Sequence, residues 1–180
     1  MKARTQLSRE AWVAEALRAL SEKGAASVAV EALANRLGVT KGSFYWHFRD
    51  LAELHEAMRA EWRERSTEYF IQRVTEAGGD ARARLLNLLA MTSKKPSRLE
   101  RAMRAWAVAD RATAAHVAGI DKRRMDFVAD LFRQYGHDAE TAEAYARLVS
   151  SFVTGQMMSD LSGDPRFNDI IAAAVLRPRA

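Results

Sequence analysis

The sequence predicts an all-α protein, and two observations support this fold class. Apolar residues recur at helical spacing along almost the whole chain, and runs that alternate with a period of two are scarce. Only three prolines occur among 180 residues, so few positions interrupt a helix. We therefore expect an N-terminal three-helix domain that is joined by a long helix to a C-terminal helical bundle.

Three short helices are predicted in the N-terminal domain. The first covers residues 8–23, because a serine at its start is a favourable N-cap and Gly24 follows its last turn. The second covers roughly residues 30–36. After a tight turn at Gly38, the third covers residues 41–47, with a threonine placed to cap it.

A long fourth helix follows. It begins at Asp50, which with Glu53 forms a capping-box-like start, and it ends at the glycine pair 78–79. This helix marks the boundary between two predicted domains, residues 1–50 and residues 51–180. The remaining predicted helices begin near Asp80, Ser97, residue 111, Asp138 and residue 166.

Most of the positive charge lies near the N-terminus. Residues 1–49 contain eight Lys or Arg and four Glu, which gives +4 of the net charge of +5. A basic N-terminal module favours a polyanionic partner, nucleic acid first of all. A solubilising surface is the alternative explanation of the same charge.

Composition excludes several kinds of site. The chain has no cysteine, so disulfides, thiolate metal sites and thiol catalysis are absent, as is common in a reducing cytoplasm. Residues 1–6 lack the apolar run of a signal peptide, and no stretch approaches the length of a membrane span. We expect a cytoplasmic protein that does not bind membranes.

Residues 30–48 predict a helix-turn-helix, in which the second helix enters the major groove of DNA. Phe44 and Phe48 are apolar where the helices must pack together. Gly42 lets the backbone approach a sugar-phosphate chain closely, and Lys41 and the first amides of the helix suit phosphate contacts. The candidate DNA-binding residues are Arg36, Thr40, Lys41, Gly42, Ser43, Tyr45, Trp46 and His47.

Some of these assignments have alternatives. Arg36, at the end of the second helix, either grips a phosphate or lies in solvent. Trp46 and His47 either both read bases, or one of them packs against the first helix.

The predicted helix-turn-helix carries residue pairs at fixed offsets. They are Gly-Val, Lys-Gly, aromatic-Tyr and His-Phe pairs within Leu37-Gly38-Val39-Thr40-Lys41-Gly42-Ser43-Phe44-Tyr45-Trp46-His47-Phe48, with Leu33-Ala34 before this run and Leu54 after it. On these residues, the segment 8–54 resembles the N-terminal domain of the tetracycline-repressor (TetR) family of bacterial regulators. The resemblance implies a ligand-responsive transcriptional repressor that binds a palindromic operator as a homodimer.

The resemblance also implies roles for the third helix. Thr40, Lys41 and Tyr45 are expected to hold phosphates, and Ser43, Trp46 and His47 to reach bases or sugars. A homodimer would place two such helices about 34–36 Å apart, in successive major grooves.

Two positions depart from the family pattern. Ala29 stands where members usually have a Ser or Thr that caps the second helix, and Leu51 stands where many have a phosphate-contacting lysine. Arg49 is a candidate to replace that lysine. These departures support the alternative function, a helical interaction or ligand-binding module with weakened or lost DNA binding.

For the C-terminal part, the resemblance implies a cavity for a small apolar or amphipathic effector. It further implies that the last two helices, 142–158 and 167–175, pair with the same two helices of a second copy to form a four-helix bundle. Small residues at 142, 146, 150 and 155 would allow these helices to approach each other closely. For most of the apolar candidates, a place in a plain core is the favoured interpretation. The candidate ligand-binding residues are Leu89, Met103, Trp106, His116, Phe127, Phe152 and Gln156, with His116 and Gln156 as polar anchors.

No motif indicates an enzyme, a metal site or a cofactor. The four histidines have no ligand spacing, and neither a nucleophile motif nor a phosphate-binding glycine loop occurs. The charged residues between Asp121 and Asp130, Arg124 among them, are typical of a solvated helix face.

Overall fold

A computed structural model of the protein describes residues 7–92, 98–159 and 165–176. The described residues form α-helices, one 3₁₀ turn and one π-helical segment, and no strand, which confirms the all-α prediction. The helices are α1 (Arg9–Lys23), α2 (Val30–Leu37), α3 (Lys41–Tyr45), α4 (Leu51–Arg63), α5 (Tyr69–Glu76), α6 (Ala81–Thr92), α7 (Arg98–Ala109), α8 (Arg111–Gln134), α9 (Ala139–Met158) and α10 (Pro165–Val175).

Helix ends follow the capping residues of the sequence. The hydroxyl of Ser8 accepts a hydrogen bond from the amide of Ala11 at 3.3 Å, so α1 begins where it was predicted. Gly24 ends α1 with a positive φ of 78°, a conformation that a side chain would disfavour. At the starts of α4, α6, α8 and α9, the side chains of four aspartates accept hydrogen bonds from backbone amides, as Ser8 does in α1. These aspartates are Asp50, Asp80, Asp110 and Asp138.

Two helices begin without a side-chain cap, one where the sequence lacks a capping residue and one where a cap was predicted. Ala29 offers no side-chain oxygen to α2, and the hydroxyl of Thr40 makes no capping hydrogen bond to α3. Helix α3 ends at Tyr45, two residues earlier than predicted, and the chain continues as a turn. The predicted cap Ser97 lies outside the described residues.

The predicted fourth helix contains an irregularity that the sequence did not indicate. Helices α4 and α5 are joined without a break by a π-helical segment, Glu64–Glu68. Such segments insert an extra residue into a helix and occur often at functional sites. With α4, the π segment and α5 counted as one, the described residues form nine helices, as expected.

The chain folds as two compact units. The N-terminal unit consists of the described residues up to 64 together with 98–116, and the C-terminal unit consists of those in 65–92 and 117–176. This division differs from a boundary at residue 50, because α1 packs against both α4 and α7. The side chains of Leu54, Met58 and Met103 are fully buried, so α4 and α7 contribute to the same unit as the helix-turn-helix.

The C-terminal unit has its own apolar core. Val74, Leu85 and Phe132 are almost completely buried in it, and α9 contributes Ala142 and Ala146, both 0% exposed. These two alanines were expected at a dimer interface, but they pack inside their own chain, where a small side chain allows α9 to approach its neighbours closely.

Candidate DNA-binding surface and ligand cavity

Helix α3 is held on the N-terminal unit by aromatic packing. Phe44 is fully buried, and its ring meets Trp12 of α1 edge-on, with 5.3 Å between the ring centroids. Phe48 stacks on Phe44 at 5.2 Å, and the guanidinium of Arg9 lies 4.7 Å from the centroid of the Phe48 ring. Since buried aromatic rings contribute large apolar areas, this cluster fixes the orientation of α3.

The opposite side of α3 faces solvent. Tyr45 is 61% exposed and Trp46 is 80% exposed, although both follow a buried phenylalanine. Large aromatic side chains at such exposure are unusual on a free surface, and they suit a partner that offers flat bases or sugars. Thr40, Lys41 and Gly42 are exposed beside them, and Ser43 is half-buried.

Lys41 has an ionic partner in the free protein. Its ammonium lies 2.9 Å from the carboxylate of Glu31, the second residue of α2. This hydrogen bond raises the pKa of Lys41 and lowers the pKa of Glu31. Both side chains are exposed, so the pair is weak and a phosphate can replace Glu31.

Arg36 is half-buried and does not simply lie in solvent, and its contact with a phosphate stays a prediction. Its guanidinium forms ion pairs with Glu15 and, at 2.8 Å, with Glu22, both on α1. Glu15 is buried and also accepts a hydrogen bond from Arg18. Arg36 therefore fastens α2 to α1.

His47 is half-buried, and its Nε2 is enclosed without a hydrogen-bond partner. By contrast, the side chain of the neighbouring Trp46 projects into solvent. The two residues therefore differ in how much of their side chains a DNA molecule could reach.

Gly42 has space around it. A Cβ atom there would meet only the hydroxyl of Thr40, at an ordinary 3.7 Å, and the φ of Gly42 is not positive. The fold of the free chain thus has no need for a glycine at this position.

The C-terminal unit contains a partly open cavity of about 740 Å³. Its walls come from α5, α6, α8 and α9 and from the π segment, and they are mostly apolar. This volume is in the range of small-molecule sites, about 300–1,000 Å³. The apolar and polar residues that line it include Phe70, Ile71, Met125, Phe127, Val153, Met157, Ser66, Thr67, Ser150 and Thr154.

Of the candidate ligand-binding residues, Phe127 lines this cavity. Leu89, Phe152 and Gln156 belong to the same unit but not to the lining; Leu89 packs in the core, and the buried Oε1 of Gln156 has no hydrogen-bond partner. Met103, Trp106 and His116 lie in the N-terminal unit instead. The sequence could not separate these groups, since core and cavity walls use the same residue types.

Arg124 has a place that its charge pattern did not indicate. It is half-buried on α8, and its Nε donates to the hydroxyl of Thr67 at 3.0 Å. Its Nη2 donates to the backbone carbonyl of Ser66 at 3.1 Å. The expectation of a solvated face is therefore wrong for Arg124, which lines the cavity and contacts the π segment.

A second polar cluster surrounds Arg59 in the N-terminal unit. This buried arginine hydrogen-bonds Glu56 at 2.7 Å and Thr113 at 3.4 Å, and it lies 3.8 Å from Asp110. Burial lowers the pKa of His55 and of His116. Among the described residues, no three His, Asp or Glu side chains lie close enough together to hold a metal ion.

A helix-turn-helix with an exposed second helix defines a DNA-binding regulator as the class of this protein. Residues 13–58 match the family model of the bacterial regulatory proteins of the tetR family. The match covers α2, α3 and parts of α1 and α4, so it is the N-terminal part of the chain that resembles this family. The sequence has no significant match among curated proteins.

Solved structures share the fold along most of the chain. A protein assigned as a transcriptional regulator from Pseudomonas aeruginosa PAO1 has a TM-score of 0.77 at 16% identity, covering 97% of this chain and 91% of its own. One assigned to the TetR family from Rhodococcus sp. has a TM-score of 0.68 at 22% identity, with coverages of 93% and 94%. The multidrug binding protein EbrR, complexed with imidazole, has a TM-score of 0.64 at 19% identity and 96% coverage of both chains.

No described helix combines the length and the apolar character that a membrane span requires.

Proposed function

We propose that this regulator represses transcription by binding a near-palindromic operator as a homodimer, with α3 of each copy in a major groove. The observation that supports this most strongly is the exposed surface of α3 and of the residue that follows it, formed by Lys41, Gly42, Tyr45 and Trp46 above the buried rings of Phe44 and Phe48. Residues 1–50 would make the DNA contacts, and residues 51–180 would serve dimerisation and ligand sensing.

The exposure of each side chain in and after α3 suggests which part of the DNA it would contact. Thr40, Lys41 and Tyr45 would hold phosphates, which sets the register of the helix on the duplex. Ser43 and Trp46 would reach bases or sugars. His47 is a weaker candidate for reading, because its Nε2 is enclosed.

The proposal of a dimer is supported by apolar side chains on the outer faces of α9 and α10. Leu148 is 47%, Met158 45% and Ile170 62% exposed. A second copy related by a two-fold axis would bury these faces against their equivalents. Pairing of two subunits also solves a recognition problem, since a single short helix reads few base pairs.

A ligand response is supported by the cavity of the C-terminal unit and by the likeness to EbrR, a multidrug binding protein. A ligand would act by binding the DNA-incompetent state more tightly than the DNA-competent one. Ligand and operator must then weaken each other's binding by the same factor. Ligand binding without that reciprocity would contradict the mechanism.

Fluorescence anisotropy with a labelled duplex from immediately upstream of the protein's own gene tests DNA binding. We expect saturation at one dimer per site and an affinity that falls steeply between two salt concentrations, because phosphate contacts release counterions. The double variant Lys41→Ala plus Tyr45→Ala should lose this binding. Tyr69→Ala is the matched control, since Tyr69 is a similarly exposed tyrosine outside α3.

The second candidate function is a helical interaction or ligand-binding module with weakened DNA binding. It is favoured by the missing side-chain caps at Ala29 and Thr40 and by the internal ion pairs of Arg36 and Lys41. Weak binding that is equal for the upstream duplex and for random duplexes would support this candidate over the repressor.

A further inference from the structure

We propose that the cavity of the C-terminal unit binds an uncharged, mostly apolar molecule with one oxygen group, an alcohol or a ketone, which is held by the hydroxyls of Ser150 and Thr154. This assigns a chemical class to the effector, and its regulatory meaning rests on the proposed ligand response.

The charged side chains of the cavity wall give no reason to expect a charged ligand. They are Asp121, Lys122, Arg124 and Arg147. Lys122 is paired with Asp126 at 2.7 Å, and neither Asp121 nor Arg124 is without a partner in the chain. Arg147 is exposed, so water solvates its charge. A charged ligand would give up its hydration for groups that already interact with the chain or with water, which favours an uncharged ligand.

Most of the wall suits an apolar body. Phe70, Phe127 and Val153 supply rigid surface, whereas Met125 and Met157 are unbranched and adapt to different shapes. Burial of an alkyl chain here would contribute affinity in proportion to its buried area.

Helix α9 provides the polar part of the proposed site. Ser150 and Thr154 are four residues apart, so they lie on the same face of this helix, and both are half-buried in the cavity wall. Among the described residues, neither hydroxyl has a hydrogen-bond partner, although such a hydroxyl in a helix can donate to the carbonyl four residues earlier. Since a hydroxyl both donates and accepts, the pair can hold the oxygen of an alcohol or of a ketone.

Two other ligand classes are less favoured. A hydrocarbon would fill the apolar space, but it would displace water from the hydroxyls of Ser150 and Thr154 without replacing the lost hydrogen bonds. An ion would gain hydrogen bonds at these hydroxyls but would lose more hydration than an alcohol does.

Isothermal titration of the full-length chain with three ten-carbon probes tests the ligand class: decan-1-ol, decanoate and decylamine. At pH 7, where the last two are ionised, we expect decan-1-ol to bind about tenfold more tightly than either ion, because the alcohol loses the least hydration on entering the cavity. Equal affinities, a preference for either ion or no binding of decan-1-ol would each overturn the proposal.

Variants of α9 test the polar contacts. Ser150→Ala and Thr154→Val should each weaken decan-1-ol binding about fivefold, since each removes one neutral hydrogen bond. Thr154→Ser keeps the hydroxyl and should bind decan-1-ol as the unmodified chain does. Thr75→Val, the same substitution on α5 outside the cavity wall, should change nothing. Unchanged binding to a chain that carries both Ser150→Ala and Thr154→Val would contradict the assignment.

If Thr154→Val disturbs the fold, as thermal unfolding would show, Ser150→Ala still decides whether α9 holds the ligand oxygen. The titration contains no DNA, so its outcome is independent of operator binding. A chain that binds decan-1-ol but no operator would leave this inference standing and contradict the proposed function. A chain that binds the operator but not decan-1-ol would contradict this inference alone.

Discussion

In the helix-turn-helix, apolar side chains such as Phe44 fill the interior, and the side chains available to a partner, such as Trp46, face solvent. In the C-terminal unit, apolar side chains instead surround a cavity of about 740 Å³, and charged side chains such as Arg124 and Arg147 lie on its wall. In the helix-turn-helix, exposed residues can be substituted without a change in the packing of the core. In the C-terminal unit, the walls that would bind a ligand are continuous with the core.

The largest effect is expected on the free energy of unfolding, when a substitution in the core of the helix-turn-helix is compared with one in the cavity wall. Phe44→Ala should lower the free energy of unfolding by about 3–5 kcal/mol, because it leaves an enclosed void between α1 and α3. Val153→Ala should cost about 1 kcal/mol or less, because Val153 is half-buried beside space that already exists. Urea denaturation measures both; similar losses would show that the cavity wall is as tightly packed as the core.

Removal of the ion pair that fastens α2 to α1 should have the next largest effect. Burial tends to raise the pKa of Glu15, but hydrogen bonds from Arg36 and Arg18 outweigh it, and the pKa is lowered from its ordinary 4.5. Since the pKa is lower in the folded state, Glu15 stabilises the fold above pH 4.5, and this contribution is lost as the pH falls through the folded pKa. Glu15→Gln should therefore cost about 1–3 kcal/mol at pH 7.

The measurement for Glu15→Gln is urea denaturation at pH 7 and at pH 3.5. The difference from the unmodified chain should shrink at the lower pH. Glu22→Gln, which removes the more exposed partner of Arg36, serves as the control and should have a smaller effect. A difference that is independent of pH would show that the ion pair does not contribute.

Gly42→Ala separates folding from DNA recognition. The free chain accepts a Cβ there, and alanine is a better helix former than glycine, so stability should be unchanged or slightly higher. Duplex affinity should fall about tenfold, equivalent to about 1.4 kcal/mol, because the added methyl group blocks a close backbone approach. Anisotropy and thermal unfolding check the two effects; unchanged affinity would mean that the backbone at Gly42 does not approach DNA.

The smallest effect is expected for Glu31→Gln. Because Glu31 pairs with Lys41 in the free chain, its removal should release the ammonium for a phosphate and strengthen duplex binding about threefold, in line with the weakness of exposed ion pairs. The gain should disappear in the background of Lys41→Ala. Weaker binding of Glu31→Gln would indicate that Glu31 orients Lys41 for DNA.

The sequence by itself determined those features that depend on local interactions. Caps such as Ser8 and Asp50 act on amides two or three residues away, so helix starts could be predicted closely. The helix-turn-helix could be identified because inward and outward residues alternate over a short segment, with Phe44 buried and Tyr45 exposed. The two compact units of the structure do not divide the chain at residue 50, because the packing of α7 against α1 joins residues far apart in the chain.

Only the tertiary structure decided how distant side chains are used. Arg36 is an ion-pair partner of α1 and Arg124 a cavity residue because of groups 21 and 57 residues away. Met103 and Phe127 are both large apolar residues in helices, and the sequence does not distinguish their roles. In the structure, Met103 lies in the core of the N-terminal unit, whereas Phe127 lines the cavity. A periodic pattern records which face of a helix is apolar; whether that face meets other side chains or a cavity depends on how the helices pack.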